Sequence, residues 1–481
     1  MLFRSLEQIQ QWAGFPRERN LFHSLFINNN AASDHLPPPP TDSRPLFAQE
    51  KTNYALNFYL KQKDVLQIAY DPALYSAVSM QRMLRHIVQI VHNIVAWPEQ
   101  RMAELTLLTT DERTLLLETW NNWPPPAKAG SLVADFAKQV ANQPTTAAVI
   151  DPAFGTLTYA ELDEKSSQLA AYLQQMGLQN GRIGLHLERS YHVPLAFWAI
   201  CKSGNTYVPL DAKLPQQRLA FMIENAQLDA ILSLTSLHST LPATNRPVLL
   251  LDEIEPHLSQ MPALTPTEMG ETAVILYTSG SSGQPKGVLL PQSAVLSFVH
   301  TAIQLYQLNP GDRLLQFASI SFDTALEEIC ISHLSGSTLI LRTEESISSV
   351  QAFFNFCRTY QITVLDLPTA FWHTLTIEMR RASSLALPPT VRLVVIGGER
   401  ASPEHMATWH AVAPGHVTVL NTYGPTEATV AATGCAVAGP TAVPQAELAP
   451  IGHPFPTARV YVVDQYNQLA PIGVPGELLI A

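Results

Sequence analysis

The spacing of apolar positions changes along the chain, and the change falls at the triple proline of residues 124–126. Before the prolines, residues 79–97 carry apolar side chains three and four positions apart, which predicts an amphipathic helix. Residues 52–71 form two β-type runs divided by a polar turn, whereas residues 1–50 are expected to be irregular. A short helix is predicted from about residue 110 to the prolines, which end it.

After the prolines, helical stretches such as residues 158–177 alternate with short β-branched runs. The runs are residues 272–278, 337–342, 362–367, 391–398 and 416–424. Alternation of this kind is typical of βαβ units, so we predict an α/β fold with mostly parallel sheets and flanking helices.

Composition narrows the classes of protein that fit this pattern. The chain has 481 residues, of which 46% are hydrophobic and 14% are charged, so packed domains are expected rather than disorder. The net charge of -11 disfavours a nucleic-acid partner, since phosphate contacts need basic clusters. No apolar run is long enough for a membrane span or a signal peptide. The four cysteines lie far apart without a CxxC pair, which indicates buried, reduced thiols in a cytoplasmic protein.

Polar residues collect where the predicted strands end. Asp366 follows one strand, residues 397–399 (GGE) follow the next, and residues 421–430 follow a third. Because ligands of open α/β sheets bind beyond the carboxyl ends of the strands, we expect these loops to converge on one site.

The segment Tyr277–Leu290, YTSGSSGQPKGVLL, has the composition of a phosphate-binding loop. Glycines let backbone amides approach an anion closely, hydroxyl groups can donate to phosphate oxygens, and Lys286 adds a positive charge. Pro285 before the lysine and Gly287 after it distinguish the segment from a Walker A motif. The alternative is a flexible surface turn, but a turn needs neither so many donors nor a cation. The candidate phosphate ligands are Thr278, Ser279, Gly280, Ser281, Ser282, Gly283 and Lys286.

Six further segments match one family. In chain order they are LTYAEL (157–162), CKSGNTYVPLDAKLPQQRLAFMIEN (201–225), SFDTALEEI (321–329), GGE (397–399), NTYGPTEAT (421–429) and GELLIA (476–481). Together with the loop, this ordered set resembles the core motifs of the adenylation domains of nonribosomal peptide synthetases, which are adenylate-forming, AMP-binding enzymes. The resemblance covers residues 127–481 and implies the large subdomain of that fold, with stacked, mostly parallel sheets and flanking helices.

The part before residue 127 carries a second resemblance. Residues 1–102 are similar to the C-terminal lobe of a condensation domain, an α+β structure, but they lack the catalytic HHxxxDG motif. Residues 103–126 resemble the linker that joins condensation to adenylation domains. The upstream condensation half, the small C-terminal adenylation subdomain and the carrier domain are all expected to be missing from this polypeptide.

The resemblance implies a reaction and its cofactors. In the family, an amino acid carboxylate attacks the α-phosphorus of ATP, and the acyl group of the resulting aminoacyl-adenylate passes to the phosphopantetheine thiol of a peptidyl carrier protein. The β- and γ-phosphates would lie on Thr278 to Lys286, the α-phosphate on Thr426, and Mg²⁺ on Glu427. The alternative for Glu427 is a carboxylate in the first turn of a helix. The implied catalytic residues are Thr278, Lys286, Thr426 and Glu427.

The implied nucleotide site continues along the same loops. Tyr423 would stack on adenine, because an aromatic face suits a base, and Asn421 would hydrogen-bond the adenine amino group. The nucleotide-binding set outside the phosphate loop is Gly398, Glu399, Asn421, Tyr423, Gly424 and Thr426.

The resemblance also implies an amino acid pocket. Asp323 matches the anchor of the substrate α-ammonium group, although a capping role at a helix start is the alternative. The implied pocket wall is Asp323, Thr324, Glu327, Asp366, Val395, Gly397, Thr422, Val430 and Ala431. Glu327 lies four residues after Asp323 and so shares its helical face, while Glu328 points elsewhere.

Two carboxylates in one dry pocket repel each other and are costly to bury unless a cation pairs with them. We therefore expect a long basic substrate, which is arginine, lysine or ornithine, with arginine favoured because its fork can meet both carboxylates. If Glu327 or Asp366 instead bonds pocket backbone or a protein lysine, the substrate would be polar and neutral.

Two other functions are open at this point. A chain without the C-terminal subdomain would lack the lysine that stabilises charge at the α-phosphate, so it could bind ATP and amino acid without turnover. An acyl or aryl-acid ligase of the same superfamily is the other alternative, and Asp323 and the condensation-like N-terminal part both count against it.

Overall fold

The structure is a computed structural model that describes residues 24–28, 54–61, 65–122, 130–261, 264, 267, 269–279, 283–382, 384–442 and 449–481. The chain divides into two compact units. The first extends to Thr119 and includes Tyr461–Leu479, and the second comprises Trp120–Val460 and Ile480–Ala481.

The first unit contains a small sheet and one long helix. Its sheet has the order β1 (Ser24–Asn28), β2 (Leu56–Lys61), β3 (Val65–Tyr70), and its helices are α1 (Ala77–Ala96) and α2 (Thr110–Thr114). The two β-type runs and both helices were therefore predicted correctly. The prediction that residues 1–50 are irregular is wrong for β1, whose backbone pairs in parallel with β2, and the remainder of that range lies outside the described residues.

The second unit is built on two large sheets. The six-stranded sheet has the order β11-β10-β7-β6-β8-β9 and the nine-stranded sheet the order β18-β17-β16-β15-β14-β12-β13-β4-β5. The strands are β4 (Ala147–Asp151), β5 (Gly155–Thr158), β6 (Arg182–Leu187), β7 (Thr206–Asp211), β8 (Ala230–Ser233), β9 (Val248–Leu250), β10 (Thr272–Ser279), β11 (Pro285–Pro291), β12 (Arg313–Gln316), β13 (Thr338–Leu341), β14 (Val364–Pro368), β15 (Leu393–Gly397), β16 (Thr418–Tyr423), β17 (Thr433–Ala438) and β18 (His453–Pro454). A two-stranded sheet of β19 (Val460–Val463) and β20 (Glu477–Ile480) completes the described strands.

The helices of the second unit follow the predicted alternation. They are α3 (Leu132–Asn142), α4 (Tyr159–Gln175), α5 (His192–Lys202), α6 (Gln216–Asn225), α7 (Leu251–Ile254), α8 (Gln292–Leu305), α9 (Asp323–Ser335), α10 (Val350–Thr359), α11 (Thr369–Arg381) and α12 (Pro403–Val412). The pairings β6–β7, β6–β8, β12–β13, β12–β14, β14–β15 and β15–β16 are all parallel. The predicted α/β class with mostly parallel sheets is confirmed.

Two helices of this unit are buried on almost every side. Residues Val193–Lys202 of α5 and Ala325–Ser335 of α9 are all buried, because their sequences have no polar face to expose. Helix α5 packs on β6 and β7, α9 packs on β12 and β13, and α3 contacts both helices. A shared layer of buried helices therefore joins the two sheets and holds the N-terminal end of α9 at the edge of β12 and β14.

The four cysteines are all buried and free, as predicted. Among the described residues, no helix is both long and apolar enough to cross a membrane.

Candidate functional site

The carboxyl ends of three adjacent parallel strands form the floor of the candidate site. Asp366 of β14 pairs in register with Val395 of β15, and Ile396 of β15 pairs with Asn421 of β16. The loops after these strands therefore begin at one edge of the nine-stranded sheet, where the sequence predicted them to converge.

A cavity of about 470 Å³ opens at this edge, with the first turn of α9 on its other side. It is lined by every residue of the predicted pocket wall except Val395, namely Asp323, Thr324, Glu327, Asp366, Gly397, Thr422, Val430 and Ala431. Val395 is 1% exposed and belongs to the apolar core beneath the cavity. The predicted nucleotide residues Gly398, Glu399 and Gly424 line the same cavity.

Glu327 is held in the cavity wall by a tyrosine. It is 4% exposed, and its Oε1 accepts a 2.7 Å hydrogen bond from the hydroxyl of Tyr306, which follows α8. Burial raises the pKa of Glu327 to about 8, the bond from Tyr306 works against that rise, and the charges of Asp323 and Glu328 add to it.

Asp366 is the less well satisfied of the two carboxyl groups. It is 5% exposed, and its Oδ2 is buried without a hydrogen-bond partner among the described residues. Burial raises the pKa of Asp366 well above its ordinary value, and the charge of Glu327 raises it further. Within the described parts of the chain, no lysine, arginine or histidine pairs with either carboxyl group. The cavity therefore holds two buried acids that need a proton or a cation.

Asp323 lies in the first turn of α9, one residue after the N-cap Phe322, so it is not itself the cap. Its Oδ2 accepts a 2.6 Å hydrogen bond from Thr426 Oγ1, and its Oδ1 accepts the amide of Thr324 at 3.0 Å. Burial raises the pKa of Asp323, while the bond from Thr426 lowers it and the nearby charge of Glu427 raises it. The contact brings the predicted amino acid anchor and the predicted α-phosphate ligand together.

Thr426 and Glu427 begin the short turn Thr426–Ala428, which follows β16. Glu427 is exposed in the first part of this turn. The next two residues, Thr429 and Val430, have φ angles of 61° and 70°, a left-handed backbone that is strained for a threonine and a valine. Such strain is common where a loop is shaped for a ligand.

The predicted phosphate loop is a β-hairpin in the described residues. Thr278 of β10 pairs with Lys286 of β11, Ser279 pairs with Pro285, and Gly283 has a φ of 80°. Strand β11 contacts the turn Thr426–Ala428, although Lys286 and Thr278 do not line the 470 Å³ cavity. Gly280, Ser281 and Ser282 lie outside the described residues.

The two residues predicted to contact adenine differ in exposure. Tyr423 is 41% exposed at the end of β16, where its ring is free to accept a partner. Asn421 is 5% exposed, and its Nδ2 donates a 2.7 Å hydrogen bond to the carbonyl of Pro450. A side chain in place of Gly424 would put its Cβ 2.6 Å from Ala431 Cα, so the loop needs glycine there.

The sequence did not indicate every residue of the site. Arg342 also lines the cavity, where its guanidinium stacks 5.1 Å from the ring centroid of Phe317 and lies 3.4 Å from Glu344 Oε2. Glu328 accepts the backbone amides of Phe317 and Ala318 at 2.8 and 3.1 Å, so it faces away from Glu327 as predicted and fixes the cavity rim.

A family model, AMP-binding enzyme, matches residues 136–481. The chain belongs to the AMP-binding enzyme family. The enzymes of this family are adenylate-forming ligases, so the ordered motifs that resembled an adenylation domain are confirmed at the level of the family.

The relatives of this AMP-binding enzyme include large synthetases. It is 33% identical to a linear gramicidin synthase of Brevibacillus parabrevis over 99% of this chain and 6% of that protein. It is 35% identical to the chondramide synthase of Chondromyces crocatus over 86% of this chain and 10% of that protein. The chain thus spans a small fraction of the relatives it matches.

The fold also matches solved structures. The AMPPNP-bound form of FmoA3, a nonribosomal peptide synthetase, superposes with a TM-score of 0.77 at 22% identity, covering 95% of this chain and 50% of that one. The match establishes that the AMP-binding enzyme has the fold of a synthetase adenylation core.

Proposed function

We propose that the chain activates a basic amino acid with ATP in nonribosomal peptide synthesis. An oxygen of the amino acid carboxylate attacks the α-phosphorus, the bond to the β-phosphate oxygen breaks, and aminoacyl-AMP and pyrophosphate form. The observation that carries the proposal is the pair of buried acids, Glu327 and Asp366, beside the anchored Asp323 in one cavity.

The basic side chain follows from electrostatics. Glu327 and Asp366 lie deep in the wall, and no described cation neutralises them. A guanidinium or ammonium group would offset the cost of burying both charges and would satisfy the unpartnered Asp366 Oδ2. The described contacts of Glu327 are with a tyrosine hydroxyl, not with backbone or a lysine, which favours arginine, lysine or ornithine over a neutral substrate.

The amino acid would be oriented from its other end. Asp323 would pair with the α-ammonium group, as an ionised carboxylate suits that cation. Its bond to Thr426 would then set the substrate carboxylate beside the α-phosphate.

The nucleotide and metal roles are proposed on the same geometry. Thr278 and Lys286 would hold the terminal phosphates from the hairpin that borders the turn of Thr426 and Glu427. Mg²⁺ commonly binds through one or two carboxylates together with substrate phosphates, which fits Glu427. Among the described residues no cluster of three or more possible ligands could hold a metal unaided, so the phosphates would supply the other ligands.

The surrounding organisation is part of the proposal. Residues 1–102 would be a partial condensation lobe, residues 103–126 a linker and residues 127–481 the adenylation core, in a cytoplasmic synthetase. The similarity to the linear gramicidin synthase, which extends over 99% of this chain, supports this division. A peptidyl carrier protein with phosphopantetheine would accept the aminoacyl group.

ATP–pyrophosphate exchange with the synthetase module that contains this chain tests the proposal. Exchange stimulated by arginine, lysine or ornithine, and not by leucine or phenylalanine, is the expected result. Exchange with leucine or phenylalanine alone would refute the basic substrate. Binding of ATP and amino acid to a competent module without any exchange would refute the activity.

A further inference from the structure

Tyr306 lies behind the candidate pocket and does not line it. It is the residue that follows α8, it is 2% exposed, and its ring is packed in the main apolar core. Its hydroxyl group reaches one polar atom of the pocket, the Oε1 of Glu327, at 2.7 Å. The predicted pocket wall did not include this residue.

We propose that Tyr306 is a positioning residue that sets the preference of the pocket for a cationic side chain, by holding Glu327 ionised and oriented toward the substrate. The inference rests on the proposed function, because it assumes that the pocket receives the side chain of an amino acid.

The first step of the argument is the number of donors. A carboxylate accepts hydrogen bonds, and the Tyr306 hydroxyl is the donor that the described residues give to Glu327. Every other nearby charge on α9 and β14 is negative, since Asp323, Glu328 and Asp366 are all carboxyl groups. The remaining charged residues that line the cavity are Arg342, which is paired with Glu344, and Glu399.

The second step is the proton balance of the bond. Burial, followed by the charges of Glu327 and Asp366, raises the pKa of Tyr306 well above its ordinary value, so the tyrosine keeps its proton and acts as a donor. A hydrogen bond to a charged acceptor favours the ionised form of that acceptor. Tyr306 therefore counters the burial that would otherwise keep Glu327 neutral.

The third step connects this bond to selectivity. A neutral Glu327 attracts a cation weakly, and a basic substrate would have to displace its proton before binding. Loss of a hydrogen bond to a charged group costs about 1.5–3 kcal/mol, so affinity for a basic side chain should fall roughly tenfold or more without the hydroxyl. Affinity for a neutral side chain should change little.

The test is calorimetric titration of the chain and its variants with L-arginine and with citrulline, its neutral isostere. Tyr306→Phe keeps the ring and its packing and removes the hydroxyl. Tyr159→Phe is the matched control, since Tyr159 is also fully buried but donates to backbone carbonyls such as that of Ser337 at 2.7 Å. Thermal unfolding of each variant checks that it is folded.

Tyr306→Phe is expected to weaken arginine binding about tenfold while changing citrulline binding less than about twofold, and Tyr159→Phe should alter neither. The effect should disappear in a Glu327→Gln background, because a merely structural tyrosine would act equally in both. In addition, arginine affinity of the wild type should rise with pH toward the pKa of Glu327, about 8, and the rise should move to higher pH in Tyr306→Phe.

The outcomes separate the inference from the function on which it rests. If the wild type binds arginine and Tyr306→Phe binds it equally well, or loses arginine and citrulline binding alike, the role of Tyr306 is overturned and the proposed function stands. If the wild type prefers citrulline or leucine to arginine, lysine and ornithine, the basic substrate class fails and the inference fails with it.

Discussion

Replacing Glu327 by glutamine should stabilise the unliganded protein, although it should remove the affinity for a cation. Glu327 is 4% exposed, and burial is the main cause that raises its pKa from 4.5 to about 8. In the unfolded chain the group ionises near its ordinary value, whereas in the folded protein it keeps its proton until the pH approaches 8. Glutamine has no charge to bury and can still accept the bond from Tyr306.

The sign and size of the effect follow from proton linkage. For an acid whose folded pKa is raised, the unfolded state releases its proton first, so stability falls as the pH rises from 4.5 toward 8. The loss accumulates at about 1.4 kcal/mol per pH unit and reaches up to about 3 kcal/mol at pH 7. Glu327→Gln should recover about 1–3 kcal/mol of unfolding free energy at pH 7 and almost nothing at pH 4.

Denaturant unfolding between pH 4 and pH 8 measures this difference, with the fluorescence of the buried Trp198, Trp372 and Trp409 reporting the second unit. Glu161→Gln is the control of opposite sign. The side chain of Glu161 accepts the Thr158 amide in a capping box, and these bonds hold its pKa below the ordinary value, so its loss should destabilise the chain at pH 7. A Glu327→Gln protein that is less stable than the wild type at pH 7, or a difference independent of pH, would refute the reasoning.

Three further changes test other parts of the site and its support. Asp323→Asn should weaken the binding of every α-amino acid at least about tenfold in calorimetry, because it removes the charge that pairs with the ammonium group, and unchanged affinity would refute that role. Gly397→Ala would put a Cβ 2.8 Å from Thr422 Oγ1, and in the same titrations it should weaken binding of arginine more than of the shorter ornithine. Arg392→Met leaves Asp312, which is 3% exposed, without guanidinium bonds of 2.8 and 2.7 Å, and should lower the unfolding free energy by about 3 kcal/mol at pH 7. Burial raises the pKa of Asp312 but the bonds from Arg392 outweigh it, so the loss should shrink as the pH falls below the ordinary value, and a loss that does not change with pH would contradict this.

Local patterns were sufficient for the elements of the fold. The apolar spacing of residues 79–97 predicted α1, and the β-branched run of residues 391–398 predicted β15, because both elements bury a face that the sequence marks. The predicted phosphate loop was less well described by its composition. Its proline and glycines suggested a free loop, but pairing of Lys286 with Thr278 across the hairpin overrides that local preference.

Contacts between distant residues could not be predicted from the sequence. The bond from Tyr306 to Glu327 joins residues 21 positions apart, and an aromatic residue at a helix end predicts burial rather than a polar partner. Arg342 similarly enters the cavity wall because the end of β13 lies beside Phe317, which sheet order decides. By contrast, the helical spacing of Asp323 and Glu327 was local, and both residues line the cavity.

The central claim is that the cavity selects a positive charge, and arginine and citrulline test it most directly because they match in length and differ in charge. In calorimetric titrations of this chain in the presence of ATP and Mg²⁺, we predict that arginine binds at least about tenfold more tightly than citrulline, as expected for a charge paired with buried carboxylates. We also predict that Asp366→Asn removes most of that difference. Equal affinity for the two ligands, or tighter binding of citrulline, would contradict the account.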